Sequence, residues 1–159
     1  MFPSLVTCAL VYKHLGPGRD PDFLPHRRAA HGRRQLGASA VIVGDDFLGA
    51  DAERIIAAAR DQAVTVALIK VNQIGTVTGA ARAVAAARAN DLAVIVSARS
   101  GETADVSVAH LATGWSADIV KVGSITRGEC TAKWNELIRI DEHLGGLPLA
   151  PVVIDWAGS

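Results

Sequence analysis

The sequence predicts an α/β fold of parallel βα units, and two observations on residues 38–146 carry this prediction. Short β-branched segments alternate with alanine-rich amphipathic segments, an order typical of parallel sheets with helices on their faces. The β-branched segments are apolar throughout, as are parallel strands that are covered on both sides. Four units of this kind could form an open sheet or half of an eight-unit barrel, and periodicity leaves both open.

Four segments are predicted as strands because Val, Ile and Leu dominate them over strand-like lengths. They are Ala40–Gly44, Thr65–Val71, Leu92–Ser97 and Ala117–Val122. Each is followed by a segment in which apolar residues recur at helical spacing. The predicted helices are Ala50–Arg60, Thr76–Asn90, Thr103–Thr113 and Gly128–Leu144. Thr76 is expected to cap the second helix, and the fourth helix is expected to bury Cys130, Trp134, Leu137 and Ile138.

The two ends of the chain lack such patterns. Residues 1–37 hold four of the six prolines and are predicted to form an irregular segment, and residues 147–159 are assigned to a C-terminal tail. The basic cluster His26–Arg34 could bind phosphate or nucleic acid. It is more typical of a solvated helix face, because no aromatic residues interleave with it.

Composition excludes several classes of protein. The chain has 16 Lys and Arg against 16 Asp and Glu, so no net charge attracts nucleic acid or an anionic membrane, and neither is predicted as a partner. Cys8 and Cys130 form no zinc or redox spacing, so both are expected to be free thiols. Residues Met1–Tyr12 lack the basic region and cleavage site of a leader peptide, and the chain is predicted to be cytoplasmic.

Polar side chains gather at the carboxyl ends of the predicted strands, where α/β proteins bind ligands. In chain order they are Asp45, Asp46, Lys70, Asn72, Gln73, Arg99, Ser100, Glu102 and Lys121. Some have ordinary alternatives, since Asp45 or Asp46 could cap the following helix and Arg99–Gly101 could be a simple turn. A lysine buried in an apolar run costs several kcal/mol unless it is paired, which favours a functional role for Lys70 and Lys121.

This set of residues suits proton abstraction next to a carboxylate. A lysine can act as the base only when its pKa falls from about 10.4 towards neutrality, and a second lysine and a divalent cation nearby both lower it. An aspartate at a strand end is a hard oxygen ligand suited to magnesium, which stabilises the enolate that forms. Arg99, Ser100 and Gly101 would supply a donor fork, a hydroxyl and a permissive backbone for a phosphate.

Five segments, in chain order, resemble motifs of the enolase family. They are Val43–Phe47 (VGDDF, against VGDDL), Leu68–Thr76 (LIKVNQIGT, against LLIKVNQIGT), Ser97–Thr103 (SARSGET, against SHRSGET), Ile119–Ser124 (IVKVGS, against QIKTGS) and Ala132–Ile140 (AKWNELIRI, against AKYNQLLRI). The resemblance extends from about Ala38 to Gly145 and needs no gap between Asp45 and Lys121. Ordered motifs at this spacing make the resemblance specific.

The resemblance implies a fold, a reaction and a role for each site residue. The fold would be about half of the TIM-like C-terminal barrel of enolase, spanning residues 38–146. The reaction would be the magnesium-dependent dehydration of 2-phosphoglycerate to phosphoenolpyruvate in glycolysis. Lys70 would be the base that removes the C2 proton, and Asp45 would be a magnesium ligand. Arg99 and Ser100 would hold the phosphate, and Lys121 the carboxylate side of the substrate.

The chain also departs from the family pattern. Ala98 stands where the family has a histidine that lines the substrate site. No SIEDP-like segment precedes Ala38, so the first barrel strands, with the general-acid glutamate and two further magnesium carboxylates, are expected to be absent. Residues 1–25 do not resemble the family, which fits a truncated or frameshifted reading frame, or a gene fragment kept for a new purpose.

These departures leave three hypotheses for the function. The first is an enolase-type lyase that is impaired as an isolated chain and self-associates through exposed half-barrel edges. The second is a divergent paralogue that acts on a related phosphonate or phosphorylated three-carbon acid, as Ala98 beside two retained lysines suggests. The third is a half-barrel pseudoenzyme without catalysis, in which replacement of Lys70 would leave function untouched.

Overall fold

All strands of the described residues pair in parallel within one open sheet, in the order in which they occur along the chain. The computed structural model describes residues 10–12, 29–31, 33–34 and 41–146. The strands are β1 (Leu10–Tyr12), β2 (Ile42–Gly44), β3 (Val66–Ile69), β4 (Ala93–Ser97) and β5 (Ile119–Lys121). The helices that follow β2 are α1 (Ala52–Arg60), α2 (Val71–Ile74), α3 (Val77–Arg88), α4 (Ser107–Gly114) and α5 (Gly128–His143). The predicted α/β fold of parallel βα units is confirmed.

Residues 1–37 contain a strand that was not predicted and, within the basic cluster, helical residues where a solvated helix face was the favoured interpretation. Residues Leu10–Tyr12 form β1, which pairs with β2 so that Leu10 lies beside Ile42. Residues 29–31 and 33–34 are helical, and within the basic cluster His31 and Arg34 are exposed while Ala29 is buried. Three residues are too few to show a period, which is why sequence patterns missed β1. The remainder of residues 1–37, Cys8 included, and the predicted tail lie outside the described residues.

The two faces of the sheet carry two separate apolar clusters. The first face packs against the helices, and its strand residues include Ile42, Ala67, Ile69, Val94 and Val96. The second face consists of Val41, Val43, Val66, Leu68 and Ile95, with Ala93 and Ile119 packed beside them. Because side chains alternate along a strand, both faces being apolar explains the uninterrupted hydrophobic runs in the sequence.

The helix starts follow local hydrogen bonding. Thr76 caps α3 by accepting a hydrogen bond from the amide of Gly79 at 3.0 Å, which confirms the predicted cap. Asp51, rather than Asp45 or Asp46, caps α1 through the amide of Arg54. The alternative that one of the two earlier aspartates is merely a helix cap is therefore wrong.

Helix α4 begins four residues later than predicted, at Ser107 instead of Thr103. The hydroxyl of Thr103 accepts from the amide of Asp105 at 3.2 Å, and the carboxylate of Asp105 accepts from the amide of Ser107 at 2.9 Å. These local bonds hold residues 103–106 in a loop, because short polar side chains compete with the helix for backbone amides. The pKa of Asp105 is lowered by this hydrogen bonding to Ser107.

Helix α5 buries a different residue from those predicted. Ile138 is 57% exposed, and Cys130, Trp134 and Leu137 are only half-buried, whereas Lys133 is 1% exposed. The helix packs mainly on α4, so much of its apolar surface stays in contact with solvent. None of the helices in the described residues is long and apolar enough to cross a membrane.

Candidate active site

Strand alternation brings four of the strand-end residues to one face of the sheet. Asp45, Lys70, Ser97 and Lys121 each follow a residue of the second face two positions earlier in the chain. Side chains two positions apart in an extended chain share a face, so these four continue the second face beyond its apolar part. The expectation that the polar strand ends meet at one edge is thus supported by the register, in which Ser97 pairs with Lys121.

The centre of the site is an ion pair between Lys70 and Asp45. The ammonium of Lys70 donates to Oδ1 of Asp45 in close contact and to Oδ1 of Asp46 at 3.3 Å. Lys70 is 7% exposed and Asp45 is 1% exposed, so both charges are withdrawn from solvent. The structure thus buries Lys70, as expected for a lysine in an apolar run, and of the two alternatives, a paired or a neutral lysine, it shows the pair. A buried pair of this kind is held in one geometry, because separating its members would leave an unpaired charge away from water.

Asp46 forms the outer part of this cluster. Its Oδ1 also accepts from the Nε2 of Gln73 at 3.0 Å. Partial burial acts to raise the pKa of Asp46, but the charge of Lys70 and the hydrogen bonds that Lys70 and Gln73 donate outweigh it, so the pKa is lowered. The carboxylate of Asp46 is therefore held in its ionised form.

A polar cavity of about 380 Å³ lies along the loop that follows β4, and the residue that links it in sequence to this cluster is Asn72, two positions after Lys70. It is lined by Asn72, Arg99, Ser100, Gly101, Glu102 and Thr103. Oε1 of Glu102 accepts from Nδ2 of Asn72 at 2.7 Å and from the backbone amide of Arg99 at 3.1 Å. Glu102 thereby ties this loop to α2, the short helix that follows β3. Gly101 adopts φ +91°, a conformation that a side chain would strain.

The structure places Lys121 differently from Lys70. Lys121 is exposed at the end of β5 and does not line the cavity. Its carbonyl accepts from the amide of Ala98 at 3.0 Å, which fixes the backbone of β5 beside that of β4. The burial expected for a lysine in an apolar run therefore holds for Lys70 and is wrong for Lys121, because β5 is the last strand of the described sheet and is less covered.

The predicted magnesium ligand has an oxygen suited to a cation. Oδ1 of Asp45 is engaged by Lys70, but Oδ2 is buried and, within the described residues, accepts no hydrogen bond. A buried carboxylate oxygen without a donor is costly, and a hard cation would satisfy it. Residues 29–31, 33–34 and 41–146 contain no group of three His, Cys, Asp or Glu that could hold a metal. The described residues therefore offer one buried carboxylate oxygen without a donor, Oδ2 of Asp45, and no complete set of metal ligands.

Sequence reasoning counted Asn72, Gln73 and Glu102 among the polar strand-end residues but assigned none of them a role. All three belong to the polar segments that follow the second and third predicted strands. Their closeness in sequence to Lys70 and Arg99 was the only sign in the sequence of a role at the site. Lys133 was missed for another reason. It belongs to a predicted helix, where periodicity assigns a charged residue to the solvent side.

Comparison with known proteins shows the family to which this chain belongs. The profile described as "Enolase, C-terminal TIM barrel domain" matches residues 26–149. Enolase of Bdellovibrio bacteriovorus is 44% identical over 115 residues, which are 72% of this chain and 27% of that protein. Enolase 1 of Desulfitobacterium hafniense is 42% identical over 112 residues, 70% of this chain and 26% of that protein. Enolase of Aeropyrum pernix is 44% identical over 110 residues, 69% of this chain and 26% of that protein.

The chain spans about a quarter of the length of the curated relatives it matches. The family match begins at residue 26, earlier than the resemblance read from the motifs, and includes every residue of the site. The parallel βα units described above correspond to part of the TIM barrel that this profile describes. This chain is a member of the enolase family, and it matches the family's C-terminal barrel domain.

Proposed function

We propose that this chain supplies the base, the phosphate-binding loop and a metal ligand of an enolase-type lyase. The reaction is the magnesium-dependent dehydration of 2-phosphoglycerate to phosphoenolpyruvate, a step of glycolysis in the cytoplasm. The observation that carries the proposal is the buried pair of Lys70 and Asp45, together with a polar cavity lined by Arg99 and Ser100 and by Asn72, two positions after Lys70.

Lys70 is proposed as the base that takes the proton from C2 of the substrate. Its ammonium is fixed by Asp45 and Asp46, so the nitrogen has one position relative to the cavity edge. Only the neutral amine can accept a proton, so the group must release a proton before each turnover. The proton taken from C2 then restores the ammonium, which Asp45 stabilises.

Arg99 and Ser100 are proposed to hold the phosphate of the substrate. A guanidinium offers a fork of donors that matches phosphate oxygens, and the serine adds a hydroxyl. Glu102 holds the backbone of this loop, so the two donors are presented from a fixed frame. Lys121, at the same edge of the sheet, is proposed to meet the substrate carboxylate through its exposed ammonium.

Asp45, with Asp46 beside it, is proposed to hold magnesium. The ion would supply positive charge that stabilises the doubly charged enolate of the substrate. Departure of the C3 hydroxyl also requires a proton donor, and none of the strand-end residues is assigned that role. We therefore expect weak activity from the isolated chain, and a homo-oligomer or a further chain would have to provide the acid.

The proposal is tested by following phosphoenolpyruvate formation from 2-phosphoglycerate by ultraviolet absorbance, with and without magnesium. Lys70→Met is compared with Arg82→Ala, an exposed change on α3, after circular dichroism has shown that both variants are folded. Turnover that needs magnesium and disappears only in Lys70→Met supports the proposal. Equal turnover in both variants would exclude Lys70 as the base.

A second candidate function is supported by Ala98. This residue is half-buried next to Arg99, at a position where alanine neither donates nor accepts a proton from its side chain. A divergent paralogue acting on a related phosphonate or phosphorylated three-carbon acid would retain Lys70, Arg99 and Asp45 and change this position. Assay of Ala98→His with 2-phosphoglycerate separates the two candidates. A gain of activity indicates that alanine altered substrate choice, whereas activity of the unchanged chain on 2-phosphoglycerate favours the first proposal.

A further inference from the structure

Lys133, on α5, is the largest fully buried side chain of the described residues, and its exposure is 1%. Its ammonium donates to the carbonyl of Thr103 at 2.7 Å and to the carbonyl of Glu129 at 2.9 Å. No role in the proposed chemistry uses this lysine. A buried ammonium in such a place requires an explanation, because taking the charge out of water is costly.

The two acceptors of Lys133 have different positions in the fold. Glu129 lies one helical turn earlier on α5, where its carbonyl also belongs to the backbone ladder of that helix. Thr103 is the last of the residues that line the 380 Å³ cavity. The Lys133 side chain therefore connects α5 directly to the cavity loop, across 30 positions of sequence.

Packing alone does not account for a lysine at this position. A methionine has a similar length and would fill the same volume without burying a charge. What methionine lacks is the donor to the Thr103 carbonyl, since the carbonyl of Glu129 would keep its partner in the helix. The contribution that only the lysine makes is thus the hydrogen bond to the carbonyl of Thr103, which attaches the cavity loop to α5.

The loop is held at two places, by contacts to two different elements of the fold. Glu102 fixes the loop from the side of β3 through Asn72, and it also accepts from the amide of Arg99. Lys133 fixes the end of the loop from the side of α5. Ser100 and Gly101, which also line the cavity, lie between the held amide of Arg99 and the held carbonyl of Thr103.

We propose that Lys133 is a positioning residue that holds the loop 99–103 in the conformation that binds an anion. This inference rests on the proposed role of Arg99 and Ser100 in phosphate binding. It adds that the geometry of this phosphate seat depends on a charged donor from α5, which itself never touches the ligand.

The test uses the full chain and inorganic phosphate as the probe, followed through amide shifts in ¹⁵N NMR spectra. Lys133→Met is compared with Ile55→Val, a buried change on α1 remote from the loop, and with Arg99→Ala, which removes a phosphate donor. Lys133→Met is expected to weaken phosphate binding about tenfold, the loss that corresponds to one hydrogen bond from a charged group. Ile55→Val is expected to bind phosphate as the unchanged chain does.

Amide hydrogen exchange of residues 99–105 gives a second readout that needs no ligand. Faster exchange confined to this loop in Lys133→Met supports positioning, and exchange that rises throughout the chain, or nowhere, overturns it. Unchanged phosphate affinity in Lys133→Met also overturns it. If the unchanged chain binds no phosphate, the proposed phosphate role of Arg99 fails, and the exchange result alone then decides whether Lys133 positions the loop.

Discussion

Lys70 and Asp45 form a buried ion pair although 25 positions separate them in the sequence. They meet because β2 and β3 are parallel neighbours, so residues that follow the two strands reach the same edge of the sheet. The pair thus depends on the sheet, and the sheet places two charges where little water reaches them.

Removing one member of this pair should cost stability. In Lys70→Met the carboxylate of Asp45 stays buried without its partner, and we expect a loss of about 3–5 kcal/mol in the free energy of unfolding. The double variant Asp45→Asn/Lys70→Met removes both charges and should lose less than the sum of the two single variants. Urea unfolding followed by circular dichroism measures all three, with Arg82→Ala as the exposed control. Additive losses in the double variant would contradict the pair.

The lowered pKa of Asp46 predicts a loss of stability in acid. The ordinary pKa of this carboxyl is 3.8, and its pKa in the folded chain is lower. As the pH falls, Asp46 therefore binds a proton in the unfolded chain before it does so in the folded chain. The stabilising contribution is therefore complete above pH 3.8 and is lost as the pH falls through the folded pKa. Asp46→Asn should reduce the slope of unfolding free energy against pH in this window. An unchanged slope would show that folding does not favour the ionised form of Asp46.

Two substitutions of Glu102 distinguish the effect of loop geometry on phosphate binding from the effect of the negative charge in the cavity. Glu102→Ala removes the acceptor for Asn72 and for the amide of Arg99, and we expect weaker binding of inorganic phosphate. Glu102→Gln retains an oxygen acceptor and removes a negative charge from the cavity, so it should strengthen binding, by up to about 1 kcal/mol. Calorimetric titration with phosphate measures both. Equal weakening in the two variants would mean that the charge, rather than the acceptor, matters.

Self-association is expected from the edges and surface of the described sheet. Strands β1 and β5 are its outermost strands, and Ile125 and Ile138 are 76% and 57% exposed. Exposed strand edges and apolar side chains favour contacts between copies. Sedimentation at rising concentration should show an increasing average mass, and Ile138→Lys should reduce it. A single monomeric species at every concentration would count against the predicted homo-oligomer.

Sequence reasoning predicted the units of the fold because periodicity and strand composition report on burial. It anticipated the burial of Lys70, because this lysine stands in an otherwise apolar strand segment, while the roles of Lys70 and Arg99 stay predictions. It could not predict that Lys133 is buried, because the partner of that lysine is a loop carbonyl with no signature in sequence. The exposure of Ile138 was likewise hidden, since an apolar stripe does not reveal what covers it.

The parallel register of the sheet has a consequence for the order of folding. Ile42 and Thr65 bond to each other across 23 positions, so β2 and β3 can pair only after a loop containing all of α1 has closed. Until then Asp45 and Lys70 stay hydrated on separate parts of the chain. Desolvation of the two charges must therefore accompany sheet assembly, after the local helices have had time to form. A chain of this length is accordingly expected to fold slowly, and the desolvation of Lys70 and Asp45, the two residues proposed for base and metal ligand, is expected to raise the barrier.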